Sequence, residues 1–153
     1  MMSRVVVFLF AFLYLLAGSQ VYAAPAQEIA ARQLGNLQCN IDRLSIVAGL
    51  ASLQGTLKKI ASSDNSTADS VATVQDAVSG AQGAIGVIAK ALLTGQAAPA
   101  AARDQVQGNL TAAATALADV TSTDSATSSI IAKAGTLLTK SGAAGEGVVA
   151  NCK

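Results

Sequence analysis

Apolar residues recur three and four positions apart along most of this chain. Val71, Val74, Val78, Ala81, Ile85, Ile88 and Leu92 follow one another at gaps of 3, 4, 3, 4, 3 and 4. That is an a/d seam over three heptads, and it predicts an amphipathic helix with a partner along one side. Ser66 and Asp69 precede it at capping-box spacing, with Asp in place of the usual Glu. Gly95 ends the pattern, and Pro99 follows where a new helix can begin. Val106, Leu110, Ala113, Leu117 and Val120 form the next seam, which closes in Thr121-Ser122-Thr123-Asp124, a stretch rich in cap formers. Upstream, Leu37, Ile41, Leu44, Val47, Leu50, Leu57 and Ile60 mark a first helix, with Asn36 as a candidate cap. Gly49 and Gly55 interrupt it, each at a cost of about 1 kcal/mol relative to Ala, and Ser62-Ser63-Asp64-Asn65 closes it. Ile130, Ile131, Ala134, Leu137 and Leu138 predict a shorter fourth helix that stops near Gly142. Gly145 and Gly147 leave room beyond it for one more turn, a short fifth helix.

No period-2 alternation is long enough to build a sheet. Four helices joined by short polar loops predict an all-α fold, an antiparallel up-down four-helix bundle. The cysteines, Cys39 and Cys152, agree with an even number of helices. Four antiparallel helices return the chain to the end where it began and bring the two cysteines together. Three would separate them far beyond the roughly 4.4–6.8 Å Cα spacing that a disulfide permits. The seams are thin, with many Ala positions. They predict either a compact core of closely approaching helices or a channel between splayed ones. In the second case Val74, Val78, Ile85, Ile88, Val106, Leu110 and Leu117 line it, and they are also the core residues of the first.

The first 23 residues read as a secretory signal. Arg4 gives a positive start, and Val5 to Ala17 is uncharged, long enough for a signal core and short for a membrane span. Val21-Tyr22-Ala23 places small residues at −3 and −1, so cleavage is expected after Ala23. Residues 24–36 then form an extended leader and residues 37–153 the helical domain, with no membrane span in the mature chain. The expected location is extracellular. In that oxidising setting a Cys39–Cys152 disulfide is the natural reading.

Composition narrows the chemistry. All three Phe, both Tyr and both Met lie before Ala24, and the chain has no His or Trp. The usual proton shuttle near neutral pH is missing, and no ring is available to stack a base or a sugar. Past Arg4 there are nine basic and nine acidic residues, and the longest basic run is Lys58-Lys59. Phosphate backbones need clustered positive charge, so no nucleic-acid partner is expected. The carboxylates are dispersed, including Asp69 and Asp76 one heptad apart on a face that reads as solvated. No GxSxG turn accompanies the many Ser and Thr. Ser63-Asp64-Asn65-Ser66 is too sparse for calcium, and zinc wants clustered Cys or His. No catalytic residue, cofactor or metal is expected, and the protein does not read as an enzyme.

Two sequons are present, Asn65-Ser66-Thr67 in the first loop and Asn109-Leu110-Thr111 inside the third helix. Asn65 is the more accessible glycan acceptor, while Asn109 reads as a polar residue flanking the seam. The most distinctive string runs from Asn36 to Leu44, where Asp42 and Arg43 can pair with other helices at the disulfide end.

The cleavable leader, the Ala/Ser/Thr/Val-rich heptads and the near absence of rings resemble the fungal secreted hydrophobic surface-binding protein A and cell-wall galactomannoprotein group. The likeness is one of overall character over most of the mature chain, and the terminal cysteine pair is not part of it. A separate family of small secreted fungal proteins, with the string around Cys39 and the ending Gly-Val-Val-Ala-Asn-Cys, accounts for the same features. The resemblance implies a helical bundle that adsorbs to apolar surfaces or holds lipid, with some members wall-associated. The breadth of Ala, Val, Leu and Ile on low-charge helices leads to the same expectation, a secreted non-catalytic protein whose partner is a lipid, a fatty acid or a hydrophobic surface. The alternatives are a structural protein of a cell wall or matrix and a secreted effector that binds a host protein.

Overall fold

The computed structural model describes residues 37–152. The segments read from sequence as a signal (1–23) and a leader (24–36), the latter ending in the expected cap Asn36, lie outside the described residues. Four helices follow in order: α1, Leu37–Ser63; α2, Ala68–Leu93; α3, Ala100–Ala118; and α4, Ser125–Asn151. A short 3₁₀ turn, Asn65–Thr67, joins α1 to α2. No strand occurs among the described residues.

The connections follow from their residues. Asp64 caps the 3₁₀ turn, its carboxylate accepting from the Ser66 backbone N–H at 3.0 Å and the Ser66 hydroxyl at 2.6 Å. This replaces the capping box expected at Ser66 and Asp69, because α2 begins from Thr67, which makes no side-chain cap bond. At the far end of α2, Gly95 takes a left-handed φ of 74°. It donates to the Leu92 carbonyl at 3.0 Å, and Gln96 donates to Ala91 at 2.9 Å. This is the hydrogen-bond pattern of a Schellman stop, which glycine alone adopts without strain. Pro99 sets the chain into α3. Asp124 caps α4 by accepting from the Thr127 N–H at 2.6 Å.

The helices form an antiparallel ring in the order α1, α2, α3, α4. The backbones of α1 and α4, and of α2 and α3, run closest together, while α1/α2 and α3/α4 stand further apart. Side-chain size explains the difference, since helix separation follows the residues at the contact. Gly49 of α1 abuts Ser141 of α4, and a Cβ on Gly147 would stand 2.7 Å from the Asp42 carboxylate. A Cβ on Gly80 of α2 would lie 2.6 Å from Asn109 of α3. Between the two close pairs, bulkier Leu50, Leu53, Leu57, Ile60, Val71, Val74 and Val78 fill the middle, all at 0% exposure.

α4 corrects one expectation. It does not stop near Gly142, and no separate fifth helix follows; it continues unbroken to Asn151. Gly145 and Gly147 are both helical positions, and Gly147 is the one whose missing Cβ lets α1 approach, against Asp42. The full-length α4 carries Cys152 back to Cys39, and the two form a disulfide with Cα atoms 5.0 Å apart.

Candidate functional site

The disulfide fixes which side of α1 faces inward. From Cys39 the buried positions run through Asp42, Ile46, Leu50, Leu53, Leu57 and Ile60. Asp42 accepts from Gln38 Nε2 at 2.9 Å and from Asn151 Nδ2 of α4 at 2.8 Å, so this carboxylate ties the two helices beside the bridge. Leu37 and Ile46 are nine residues apart, about 180° around a helix. Leu37, Ile41, Leu44 and Val47 therefore fall outside the core, at 74%, 44%, 70% and 51% exposure. The apolar pattern that marked the first helix gives its extent, but these four residues do not face the core. α1 has two apolar faces over its first three turns, and the seam continues inward from Cys39.

Among the described residues the other large exposed apolar side chains are Val87 and Leu93 of α2 and Val149 of α4. Leu93 and Val149 close their helices, at the same end of the bundle as the disulfide. The outer stripe from Leu37 to Val47 spans about 15 Å at 1.5 Å per residue. Exposed apolar residues scattered singly are ordinary, whereas a contiguous group marks a contact surface. A cue was present in the sequence: a cysteine that must meet a partner sets the phase of its helix, and Leu37, Ile41 and Leu44 do not share that phase.

The seven residues expected to line a channel divide by burial and not by position along the bundle. Val74 and Val78 are fully buried, and Val106 and Leu117 are buried, all within one contiguous core. Ile85, Ile88 and Leu110 are half-buried and pack on the edge of that core. On α2 the buried face runs from Val71 through Val74, Val78 and Ala81 to Ala84 and Ala91, with Ile85, Ile88 and Leu92 half-buried beside it.

The opposite end is polar. The Ser122 hydroxyl, ahead of α4, donates to Asp64 at 2.5 Å and ties the two crossover loops together. That bond, with those from Ser66, holds the Asp64 carboxyl below its ordinary pKa, and the Thr127 backbone N–H does the same for Asp124. These are capping arrangements, and beside them the buried Thr127 hydroxyl is left without a hydrogen-bond partner. No group of three or more potential metal ligands occurs among the described residues. No described helix is long and apolar enough to cross a membrane. Of the sequons, Asn65 is exposed at the start of the 3₁₀ turn. Asn109 is half-buried, donates to the Gln105 carbonyl at 2.9 Å and rests against Gly80.

No family model matches this chain, and no curated protein or solved structure matches it either.

Proposed function

We propose that this protein is secreted and non-catalytic and that it binds apolar matter, presenting the outer face of α1 to a hydrophobic surface or a lipid layer. The observation that carries this reading is the exposure of Leu37, Ile41, Leu44 and Val47 on a helix whose other side already fills the core. A helix apolar on both sides has one side to spare. The disulfide and the Asp42–Asn151 bond hold that part of α1 firmly against α4, so the stripe stays presented as a rigid ridge. The histidine-free composition and the absence of clustered charge favour adhesion over turnover, and the likeness to surface-binding fungal proteins points the same way.

Adsorption to octyl-coated beads tests it. The purified protein is expected to adsorb and to be released by detergent. A variant carrying Ile41→Gln and Leu44→Gln, with unchanged helical circular dichroism, is expected to lose most of that adsorption. Equal adsorption by the variant would remove the ridge from the account.

A wall or matrix role is the second reading, favoured by the exposed sequon at Asn65. It is tested by glycan mapping and by extraction. A glycan on Asn65 and not on Asn109, with a wall-bound fraction, is the expected result, because a glycan on Asn109 would part α3 from α2.

A further inference from the structure

α1 carries a second heptad seam on the side away from the core. Leu37, Ile41, Leu44, Ala48, Ala51 and Gly55 follow one another at gaps of 4, 3, 4, 3 and 4, and all six are exposed. Ile46, Leu50 and Leu53, which fill the core, lie on the opposite side of the helix. The outer seam is graded in size: its first three members are large, and its last three are Ala, Ala and Gly. A Cβ added at Gly55 would meet nothing within 4 Å, so no described part of the bundle accounts for a glycine there. The positions beside the seam, Gln38, Asn40, Ser45, Val47, Ser52 and Gln54, carry no charge. Two copies can therefore meet along it without like-charge repulsion.

We infer that this seam is a self-recognition surface, on which a second copy of the chain docks its own α1 antiparallel, about a two-fold axis at the level of Ile46. With the axis there, Leu37 meets the partner's Gly55, Ile41 meets the partner's Ala51 and Leu44 meets the partner's Ala48. By symmetry the same three layers recur across the axis. Every large side chain then falls on a small one, and the helices approach to about 8 Å with the space between them filled. A parallel pair cannot do this. The Leu end would hold the helices apart and leave a gap at the Ala and Gly end. It would also set Lys58, the next residue on the seam, against its own counterpart. In the antiparallel pair the two Lys58 residues stand about 36 Å apart at 1.5 Å per residue. The contact is about 27 Å long and one helix wide, roughly 300 Å² per copy, against about 800 Å² per partner in a lasting complex. The pair is therefore reversible, filling in concentrated solution and coming apart at micromolar dilution. Pairing covers the ridge residues Leu37, Ile41 and Leu44, so it regulates the proposed adsorption. Only that regulatory step rests on the proposed function.

Mild oxidation of single-cysteine variants, with the native disulfide intact, tests the pairing. Ile41→Cys and Ala51→Cys are each expected to stay uncrosslinked alone. Their like positions lie about 15 Å apart along the paired helices, beyond the roughly 4.4–6.8 Å that a disulfide permits. An equimolar mixture of the two is expected to give a cross-linked dimer that adsorbs poorly to octyl beads. Cross-linking within either variant alone, and none between them, overturns the antiparallel pairing. Sedimentation of the unsubstituted protein from about 1 μM to 1 mM is expected to pass from monomer to dimer. An Ala51→Gln, Gly55→Gln variant keeps the ridge residues. It is expected to need at least about tenfold more protein to pair and to adsorb to beads as before. A monomer throughout overturns the dimer and leaves the adsorption standing. A dimer that the two substitutions do not weaken overturns the seam as its interface. A dimer of a protein that never adsorbs supports the pairing and overturns the proposed function, and equal adsorption by the cross-linked dimer overturns the regulatory step.

Discussion

Glycine serves two purposes within α4, and substitution separates them. Gly135 and Gly142 have nothing within 4 Å of an added Cβ. At such helical positions Ala is preferred by about 0.8–1 kcal/mol, so Gly135→Ala and Gly142→Ala are each expected to raise stability by about that amount. Gly147 is different. Its added Cβ would meet the Asp42 carboxylate, which Gln38 and Asn151 hold in place and which cannot swing clear without breaking those bonds. Gly147→Ala is therefore expected to destabilise by about 1–3 kcal/mol, the range for overpacking, and urea denaturation of the three variants checks the reversal of sign. The capping carboxylates at the other end are read by pH. Asp64 and Asp124 have lowered folded pKa values, so their contribution is present above the unfolded value of about 4 and is lost as pH falls through the folded values. The melting temperature is expected to drop as pH is lowered below about 4. Ser122→Ala removes the chief cause of the Asp64 shift and is expected to make that drop shallower. An equal slope in the variant would mean that the Ser122 bond does not persist in solution.

Among the elements, α2 was the most legible in sequence and α1 the least, for a physical reason. α2 has one apolar stripe, and its a/d spacing matches the face it packs from Val71 to Ala81, after which the buried positions are Ala84 and Ala91. α1 has two, and apolar periodicity cannot say which of them meets the core. The inner stripe is also disguised, because Asp42 and Gly49 occupy it while Leu37, Ile41 and Leu44 stand outside. The far half of α4 was misread because glycine was weighed by helix propensity alone, whereas Gly147 is set by how near α1 comes. The half-buried state of Ile85 and Ile88 was not legible, since the a/d count continues past Ala81 while the buried positions become Ala84 and Ala91. The two faces of α1 differ measurably. Leu53→Ala, at a fully buried position, is expected to cost about 2–5 kcal/mol. Leu44→Ala, on the outer ridge, is expected to change stability by no more than about 0.5 kcal/mol. Equal losses at both sites would place Leu44 in an interface that forms in solution, such as a self-associated state, and sedimentation would then show it.

For the whole molecule the disulfide acts on both ends of the chain at once. Cys39 and Cys152 are 113 residues apart, so the bond closes nearly the full described length into one loop. In the chain-entropy account such a loop restricts the unfolded state enough to stabilise the fold by about 4–5 kcal/mol, which is a large share of the 5–15 kcal/mol typical of a domain. The bond also sits next to the Asp42–Asn151 hydrogen bond. Reduction is therefore expected to act in two ways. The urea midpoint should fall by an amount equivalent to about 4–5 kcal/mol, and hydrogen exchange should accelerate first in the opening turns of α1 and the closing turns of α4. The middle of α1 and the first half of α2 should stay protected, because Leu50, Leu53, Leu57, Val71 and Val74 pack there without help from the bridge. A much smaller loss of stability would mean that the reduced unfolded chain already holds its ends near each other. Loss of helical circular dichroism on reduction alone, in water, would mean that an aliphatic core built from Ala, Val, Leu and Ile does not sustain the bundle, and that the covalent link between its ends is what makes it a folded protein.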